Sequence, residues 1–171
     1  PPLRIVAVQS LPKGDRGELA VELLTEVGVD EIVPWAAENC VTQWRGERAA
    51  KSRQRWVDAA RAAGKQSRRS RFPRLAPLST TAQVAERLAA ADLALVLHEA
   101  APQGIGDLVV PSRGEVVVVI GPEGGITTSE LATFAEASGR AIRLGSSVLR
   151  TSSAGIAAVA ALLARTARWN P

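Results

Sequence analysis

The chain has almost none of the residues that build covalent cross-links or metal centres. Its 171 residues include one cysteine, one histidine, no methionine and no tyrosine. A lone Cys40 cannot form an internal disulfide, so a reducing, cytoplasmic location is expected. Because Cys40 and His98 are single and distant in sequence, we predict no metal site.

Long apolar runs and a secretory leader are also missing. No stretch approaches the ~20 apolar residues that cross a bilayer, so a membrane protein is not expected. The short apolar start runs into Lys13 and Asp15, which is unlike a signal peptide. A chain that begins Pro1-Pro2 without methionine is expected to be a processed product or a fragment. With 46% hydrophobic and 22% charged residues, we predict one globular domain, residues 1–171.

The most informative stretch is a strand followed by a glycine turn and a helix. Residues 116–120 are an apolar, mostly β-branched run, typical of a strand buried on both faces of a parallel sheet. Gly121-Pro122-Glu123-Gly124-Gly125 ends it, Thr127 and Glu130 then form a capping box, and Gly139 is predicted to end the helix as its C′ residue. Such a turn is either a tight connection or a ligand site at the carboxyl edge of the sheet. It is neither a Walker loop nor G-x-G-x-x-G, which disfavours a dinucleotide-dependent oxidoreductase.

Strands and helices alternate along the whole chain, which predicts an α/β fold with a parallel sheet. The predicted strands are residues 4–9, 31–34, 93–97, 116–120 and 141–144, with a possible short edge strand within 72–78. The predicted helices are residues 15–28, 46–64, 79–91, 127–139 and 153–169. In the first helix, Asp15 with Glu18 is predicted to cap the N-terminus, and the buried stripe is predicted to be Leu19, Leu23, Leu24 and Val27.

Basic residues are concentrated in one segment. Residues 45–74 contain 11 of the 21 lysines and arginines and only two acids, so this segment is net +9 and the remainder net −5. A solvated basic helix face is the ordinary interpretation, but the contrast with the acidic remainder favours a polyanionic partner. We predict RNA contacts for the following residues: Arg48, Lys51, Arg55, Lys65, Arg68 and Arg69.

A second stretch, Leu144-Gly145-Ser146-Ser147-Val148-Leu149-Arg150-Thr151, identifies the family when it is read with the glycine turn. Together they closely resemble the SPOUT methyltransferases, and within them the ribosomal RNA small-subunit methyltransferase E family, over about residues 6–163. Glu38-Asn39-Cys40 and Lys65-Gln66-Ser67-x-Arg69 match further elements of that family. The resemblance implies S-adenosylmethionine-dependent methylation of uridine N3 in 16S ribosomal RNA of the small subunit.

The resemblance also implies a structure. SPOUT enzymes have a parallel sheet with a C-terminal trefoil knot, and they work as homodimers with the cofactor pocket at the subunit interface. Three loops form that pocket, and the residues they place on this chain are Leu97, His98, Glu99, Gly121, Pro122, Glu123, Gly124, Gly125, Leu144, Gly145, Val148, Leu149 and Thr151. The family's small N-terminal RNA-binding β-barrel has no counterpart among these residues.

Methylation at N3 requires that nitrogen to lose its proton, and negative charge then spreads to the flanking carbonyl oxygens. A positioned cation is useful there, and Arg150 is the candidate. Glu123 is the nearest carboxylate and is either the general base or a structural group that holds Arg150 or loop amides. His98 is another candidate base or a hydrogen-bonded wall residue.

Two positions depart from the family pattern. Ser147 and Ser152 stand where the family has an arginine and a glutamate. They motivate an alternative from another class, a non-catalytic RNA-binding module that retains the SPOUT fold.

Overall fold

The computed structural model describes residues 1–171 as an α/β fold in which six strands alternate with five α-helices. The strands are β1 (Leu3–Ser10), β2 (Glu31–Trp35), β3 (Arg74–Leu75), β4 (Leu93–Leu97), β5 (Gly114–Ile120) and β6 (Arg140–Ile142). The helices are α1 (Arg16–Val27), α2 (Glu47–Gln66), α3 (Thr81–Ala90), α4 (Thr128–Glu136) and α5 (Thr151–Leu163), with a 3-10 turn at Ile105–Asp107. None of the helices is both long and apolar enough to cross a membrane.

The six strands form one parallel sheet in the order β3-β2-β1-β5-β4-β6. Strands β1 and β5 are the central pair, in register from Leu3 opposite Gly114 to Gln9 opposite Ile120. The five residues 116–120 are at most 1% exposed, because helices cover both faces of a parallel sheet. This confirms the predicted parallel sheet, and it brings the carboxyl ends of β1, β4, β5 and β6 to one edge.

The predicted inner face of α1 is partly wrong. Helix α1 does end at Gly28, which adopts a left-handed φ of 112° as a C-cap. Its buried positions, however, include Ala20, Val21 and Leu24, while Leu19 is 44% exposed. Small residues face the neighbouring helices because α1 packs against both α2 and α5. The predicted capping is also absent, since the Asp15 side chain makes no cap hydrogen bond.

Helix α4 begins as predicted but ends differently. Thr127 and Glu130 form both hydrogen bonds of the capping box. The left-handed residue after the helix is Ser138, with φ 67°, and not Gly139. Gly139 is required for another reason, because a Cβ there would lie 2.7 Å from the Phe134 carbonyl oxygen.

The last strand and helix are displaced from their predicted bounds. Strand β6 stops at Ile142 because the backbone of Arg143 pairs with Gln103 and Ile105 in the β4–β5 connection. Helix α5 starts at Thr151 and ends at Leu163, and turns follow it. Buried and half-buried residues alternate along α5, which packs against α1, β1 and β5.

Candidate active site

A cavity of 560 Å³ opens at the carboxyl edge of the sheet. It is lined by the three segments singled out in the sequence: the end of β4, the β5–α4 loop and the β6–α5 loop. Of the thirteen residues predicted to bind the cofactor, all but Gly124 line it. Its volume and its mixture of apolar walls with a few polar groups are typical of small-molecule sites.

The β5–α4 loop approaches its neighbours too closely for side chains. A Cβ on Gly121 would lie 2.6 Å from Cγ1 of Ile126, and Gly125 has a left-handed φ of 84°. Gly124 faces away from the cavity and lies against Asn39. A Cβ added to Gly124 would be 3.0 Å from the Cβ of Asn39. The loop's outer side is thus occupied by protein, and its inner side borders the cavity.

Asn39 fixes this loop from outside the cavity. Its Nδ2 donates to the carbonyl oxygens of Gly124 and Gly125, both at 3.1 Å. The neighbouring amide of Glu38 donates to Oε2 of Glu130, which also accepts from the Thr81 hydroxyl. The Glu38-Asn39-Cys40 element therefore ties the β2–α2 connection to the loop and to the start of α4.

Cys40 completes that element as a buried thiol. It is 7% exposed, and its Sγ lies 3.9 Å from the Trp35 carbonyl oxygen. Burial raises the pKa of the Cys40 thiol above its ordinary value, so the neutral form is favoured near pH 7. Cys40 is consequently a packing residue and not a nucleophile in this arrangement.

The β6–α5 loop is joined to the β5–α4 loop by one hydrogen bond. The hydroxyl of Thr151, the first residue of α5, donates to the Gly121 carbonyl oxygen at 3.1 Å. Gly145 has a left-handed φ of 95° with open space beside it, as a turn at a cavity mouth requires. Arg150 is the N-cap residue of α5, lies on the cavity wall, and forms no hydrogen bond or ion pair with its side chain.

The two candidate bases differ in their surroundings. Oε1 of the exposed Glu123 accepts a hydrogen bond from the Lys13 amide at 3.2 Å, and Glu123 forms no ion pair with Arg150. Nδ1 of His98 accepts from the Ala100 amide at 3.1 Å. The neutral His98 ring therefore carries its proton on Nε2, and neither ring nitrogen offers an unused lone pair.

Three cations that the sequence reasoning missed also line the cavity: Arg143, whose NH1 donates to the Ala101 carbonyl oxygen, and the neighbouring pair Lys13 and Arg16. Lys13 lies in the β1–α1 connection, Arg16 is the first residue of α1, and neither forms an ion pair. The sequence could have indicated Lys13 and Arg16 in part, because they follow β1, and the carboxyl ends of all strands of a parallel sheet lie at the same edge. Local sequence patterns do not give the order of the strands, so they could not show that β1 lies next to β5.

The six predicted RNA contacts fall into two groups. Arg48, Lys51 and Arg55 share one face of α2, as expected, and line a second cavity of 570 Å³ beside the start of α1. At about 1.5 Å of rise per residue, Lys65 lies about 15 Å beyond Arg55 along α2. Arg68 is exposed at that far end.

Arg69 has a structural role within the chain. Its NH1 donates to the carbonyl oxygens of Thr25 and Val29 at the C-terminus of α1, at 3.1 and 2.8 Å. Burial lowers the pKa of its guanidinium. A contact with RNA through the remaining donors of Arg69 stays a prediction.

Comparison with known proteins gives consistent matches. The family model of the RNA methyltransferase domain matches residues 1–163. The chain is 43% identical to the ribosomal RNA small subunit methyltransferase E of Mycobacterium bovis, over 99% of this chain and 67% of the relative. It is similar to a methyltransferase of Legionella pneumophila solved with bound SAM, with a TM-score of 0.88 and 32% identity over 96% of this chain and 67% of that one. For a Neisseria gonorrhoeae small subunit methyltransferase E bound to S-adenosyl methionine, the TM-score is 0.87 at 34% identity, over 95% of this chain and 66% of that one.

Proposed function

The chain belongs to the RNA methyltransferase domain family, and from that premise we propose that it transfers a methyl group from S-adenosylmethionine to N3 of a uridine in 16S ribosomal RNA. The resemblance expected from the sequence motifs is thereby confirmed at the level of the family, and the reaction is an S-adenosylmethionine-dependent rRNA methylation. The observation that carries the proposal is the 560 Å³ cavity, which both family motifs line. The hydrogen bond from the Thr151 hydroxyl to the Gly121 carbonyl oxygen joins the two motifs directly.

The residues around the cavity fit an adenosine cofactor with an amino-acid end. Glycine-rich backbone at Gly121, Gly125 and Gly145 offers amides and carbonyls without side chains in the way. Leu97 and Ile120 supply apolar wall. When bound, the cofactor supplies an electrophilic methyl group on a sulfonium.

In this proposal the protein's own residues prepare uridine for attack. The N3 proton leaves, and the uracil carbonyl oxygens gain negative charge that the Arg150 guanidinium stabilises from the cavity wall. Glu123 has one carboxylate oxygen engaged by the Lys13 amide, which leaves Oε2 to accept the proton. The hydrogen bond at Nδ1 of His98 favours Glu123 over His98 as the base.

We further propose that the tail forms a trefoil knot. Strand β6 lies at the sheet edge beside β4, whereas α5 packs at the centre on β1 and β5. The β4–β5 connection contacts the tail on both sides of α5: Gly104 pairs with Arg143 before it, and Arg165 after it donates to the carbonyls of Ile105 and Gly106. These contacts support a tail that passes beneath the connection, an exception to the usual absence of knots.

Homodimerisation through this region is part of the same proposal. Val148 is 78% exposed and Leu149 38% exposed on the cavity wall, and Ala154, Ile156 and Ala160 of α5 are only half-buried. A second copy would remove this apolar surface from water and close the cavity. We propose residues 1–171 as the methyltransferase domain, acting in the cytoplasm on the small ribosomal subunit.

Two measurements test the function. Calorimetric titration with S-adenosylhomocysteine should show binding, and tritiated methyl transfer to undermethylated small subunits should show turnover, with mass mapping placing the methyl on N3. Arg150→Ala should lower turnover by a factor on the order of 10² while sparing S-adenosylhomocysteine binding. Cofactor and RNA binding without any turnover would instead favour a non-catalytic RNA-binding module, which Ser147 and Ser152 motivate.

A further inference from the structure

The β1–α1 connection and the first turn of α1 separate two cavities and line both of them. Lys13 and Arg16 border the 560 Å³ cavity described above. Their neighbours Pro12, Gly14 and Gly17 border the 570 Å³ cavity at the start of α2. Because residues of one short segment alternate between the two cavities, the segment is a narrow ridge with a cavity on each side. We call residues 11–17 the ridge.

The cavity on the far side of the ridge is strongly basic. Arg48, Lys51 and Arg55 line it, with Glu18 as its single acid. None of the three cations forms an ion pair within the chain. Hydrogen-bonding groups of Thr42, Gln43 and Ser52 complete its wall. This composition suits the phosphodiester backbone of a nucleic acid.

The base of this second cavity is rigid. Trp44 and Trp56 pack edge to face, with ring centroids 5.0 Å apart, and both are buried. Gly17 lies against Trp56 so closely that a Cβ would be 2.8 Å from its Nε1. The basic side chains therefore project from a fixed support, and the ridge is held against the same support.

The ridge is also anchored on its other side. The Lys13 amide donates to Oε1 of Glu123 in the glycine loop of the first cavity. This bond places the cations of Lys13 and Arg16 at the mouth of a cavity whose proposed cofactor carries a positive sulfonium. Like charges repel, so an anion beside Lys13 and Arg16 would offset their repulsion of the sulfonium.

We propose that single-stranded RNA crosses the ridge: its backbone phosphates bind Arg48, Lys51 and Arg55 in the second cavity, and Lys13 and Arg16 hold the phosphate of the nucleotide that enters the first cavity. The inference rests on the proposed function. A base that undergoes chemistry must leave its stack, and an extruded nucleotide needs its backbone fixed beside the pocket. A continuous cationic track from α2 over the ridge provides that fixation.

The competing assignment for Lys13 and Arg16 is the carboxylate of the cofactor's amino-acid end. The two assignments differ in which ligand is lost when the charges are removed. Three double variants separate them: Lys13→Gln with Arg16→Gln on the ridge, Arg48→Gln with Lys51→Gln in the second cavity, and Arg113→Gln with Arg140→Gln as a control. Arg113 and Arg140 are exposed at the amino edge of the sheet, away from both cavities.

Each variant is titrated with S-adenosylhomocysteine by calorimetry and with a fluorescent uridine-containing RNA oligonucleotide by anisotropy at several salt concentrations. The second-cavity variant should flatten the slope of log affinity against log salt by about 1.4, at about 0.7 per lost phosphate contact on a single strand, and the ridge variant, whose two cations share one phosphate, by about 0.7. Their affinity for S-adenosylhomocysteine should change less than twofold. In methyl transfer to small subunits, the ridge variant should lower kcat and the second-cavity variant should mainly raise KM.

Loss of S-adenosylhomocysteine binding by the ridge variant, with an unchanged RNA slope, would assign these cations to the cofactor and overturn the proposal. An RNA slope equal to that of the control in either variant would also overturn it. If the wild-type chain binds RNA with the predicted slopes but neither binds S-adenosylhomocysteine nor methylates, the proposed function fails while the RNA track stands.

Discussion

The side chain of Asn39 should control cofactor affinity although it lies outside the cavity. Its single amide nitrogen donates to two consecutive carbonyls of the glycine loop, those of Gly124 and Gly125. Those residues lack side chains that could hold the loop, and Gly125 occupies a left-handed conformation. Removing the amide by Asn39→Ala should release the outer side of the loop, which must then be ordered again when a ligand binds.

The magnitude follows from the two bonds. A net hydrogen bond contributes about 0.5–1.5 kcal/mol, and both bonds here are exposed, so their sum is about 1–2 kcal/mol. At about 1.4 kcal/mol per factor of ten, the Kd for S-adenosylhomocysteine should rise about five- to thirtyfold. The midpoint of thermal unfolding should change little, because the loop opens locally without unfolding the buried β5.

Calorimetric titration with S-adenosylhomocysteine measures this effect, with thermal unfolding as the companion measurement. Asn39→Asp keeps the shape but replaces the donor by an acceptor facing two carbonyls, so it should weaken binding at least as much as Asn39→Ala. The matched control is Gln54→Ala, which removes an exposed side-chain amide that bonds Asp58 on α2. An Asn39→Asp variant that binds like the wild type would refute the reasoning.

Three further changes should have defined outcomes. Gly121→Ala places a Cβ 2.6 Å from Cγ1 of Ile126 and should abolish S-adenosylhomocysteine binding. Adding Ile126→Ala removes the clashing atom and should restore binding in part. Failure of that rescue would contradict the steric explanation. Arg168→Met removes a 2.8 Å ion pair with the largely buried Asp30 and should lower the free energy of unfolding in urea by about 2 kcal/mol, whereas Arg140→Met on the surface should not. Burial raises the pKa of the Cys40 thiol, so the folded protein should resist alkylation at neutral pH and the denatured protein should react, which alkylation rates measure. As the pH rises, the unfolded thiol loses its proton before the folded one does. The contribution of the buried, neutral thiol to the free energy of unfolding should therefore be complete below pH 9.0 and be lost as the pH rises further, which unfolding at several pH values measures.

Local chemistry made much of the fold predictable from the sequence. The β-branched run at residues 116–120 has no polar position to expose, so it must be a strand buried on both faces, as it is. The threonine and glutamate of the capping box bond each other's backbone within one turn, and that motif is complete in the structure. The inner face of α1 was not predictable in the same way, because Leu19 is apolar yet exposed while small residues pack against two other helices.

By itself the sequence determined which segments carry the chemistry, since the glycine turn and the Leu-Gly-x-x-Val-Leu-Arg-Thr stretch are local patterns that specify their own backbone. Only the tertiary structure decided what those segments meet. The strand order β3-β2-β1-β5-β4-β6 brings the ridge with Lys13 and Arg16 to the cavity, and the packing of α2 divides the basic residues between its two ends. Asn39 reaches Gly124 across 85 positions of the chain. Contacts of this kind depend on the arrangement of whole strands and helices. That arrangement is stabilised by many contacts throughout the core, and no short stretch of sequence specifies it.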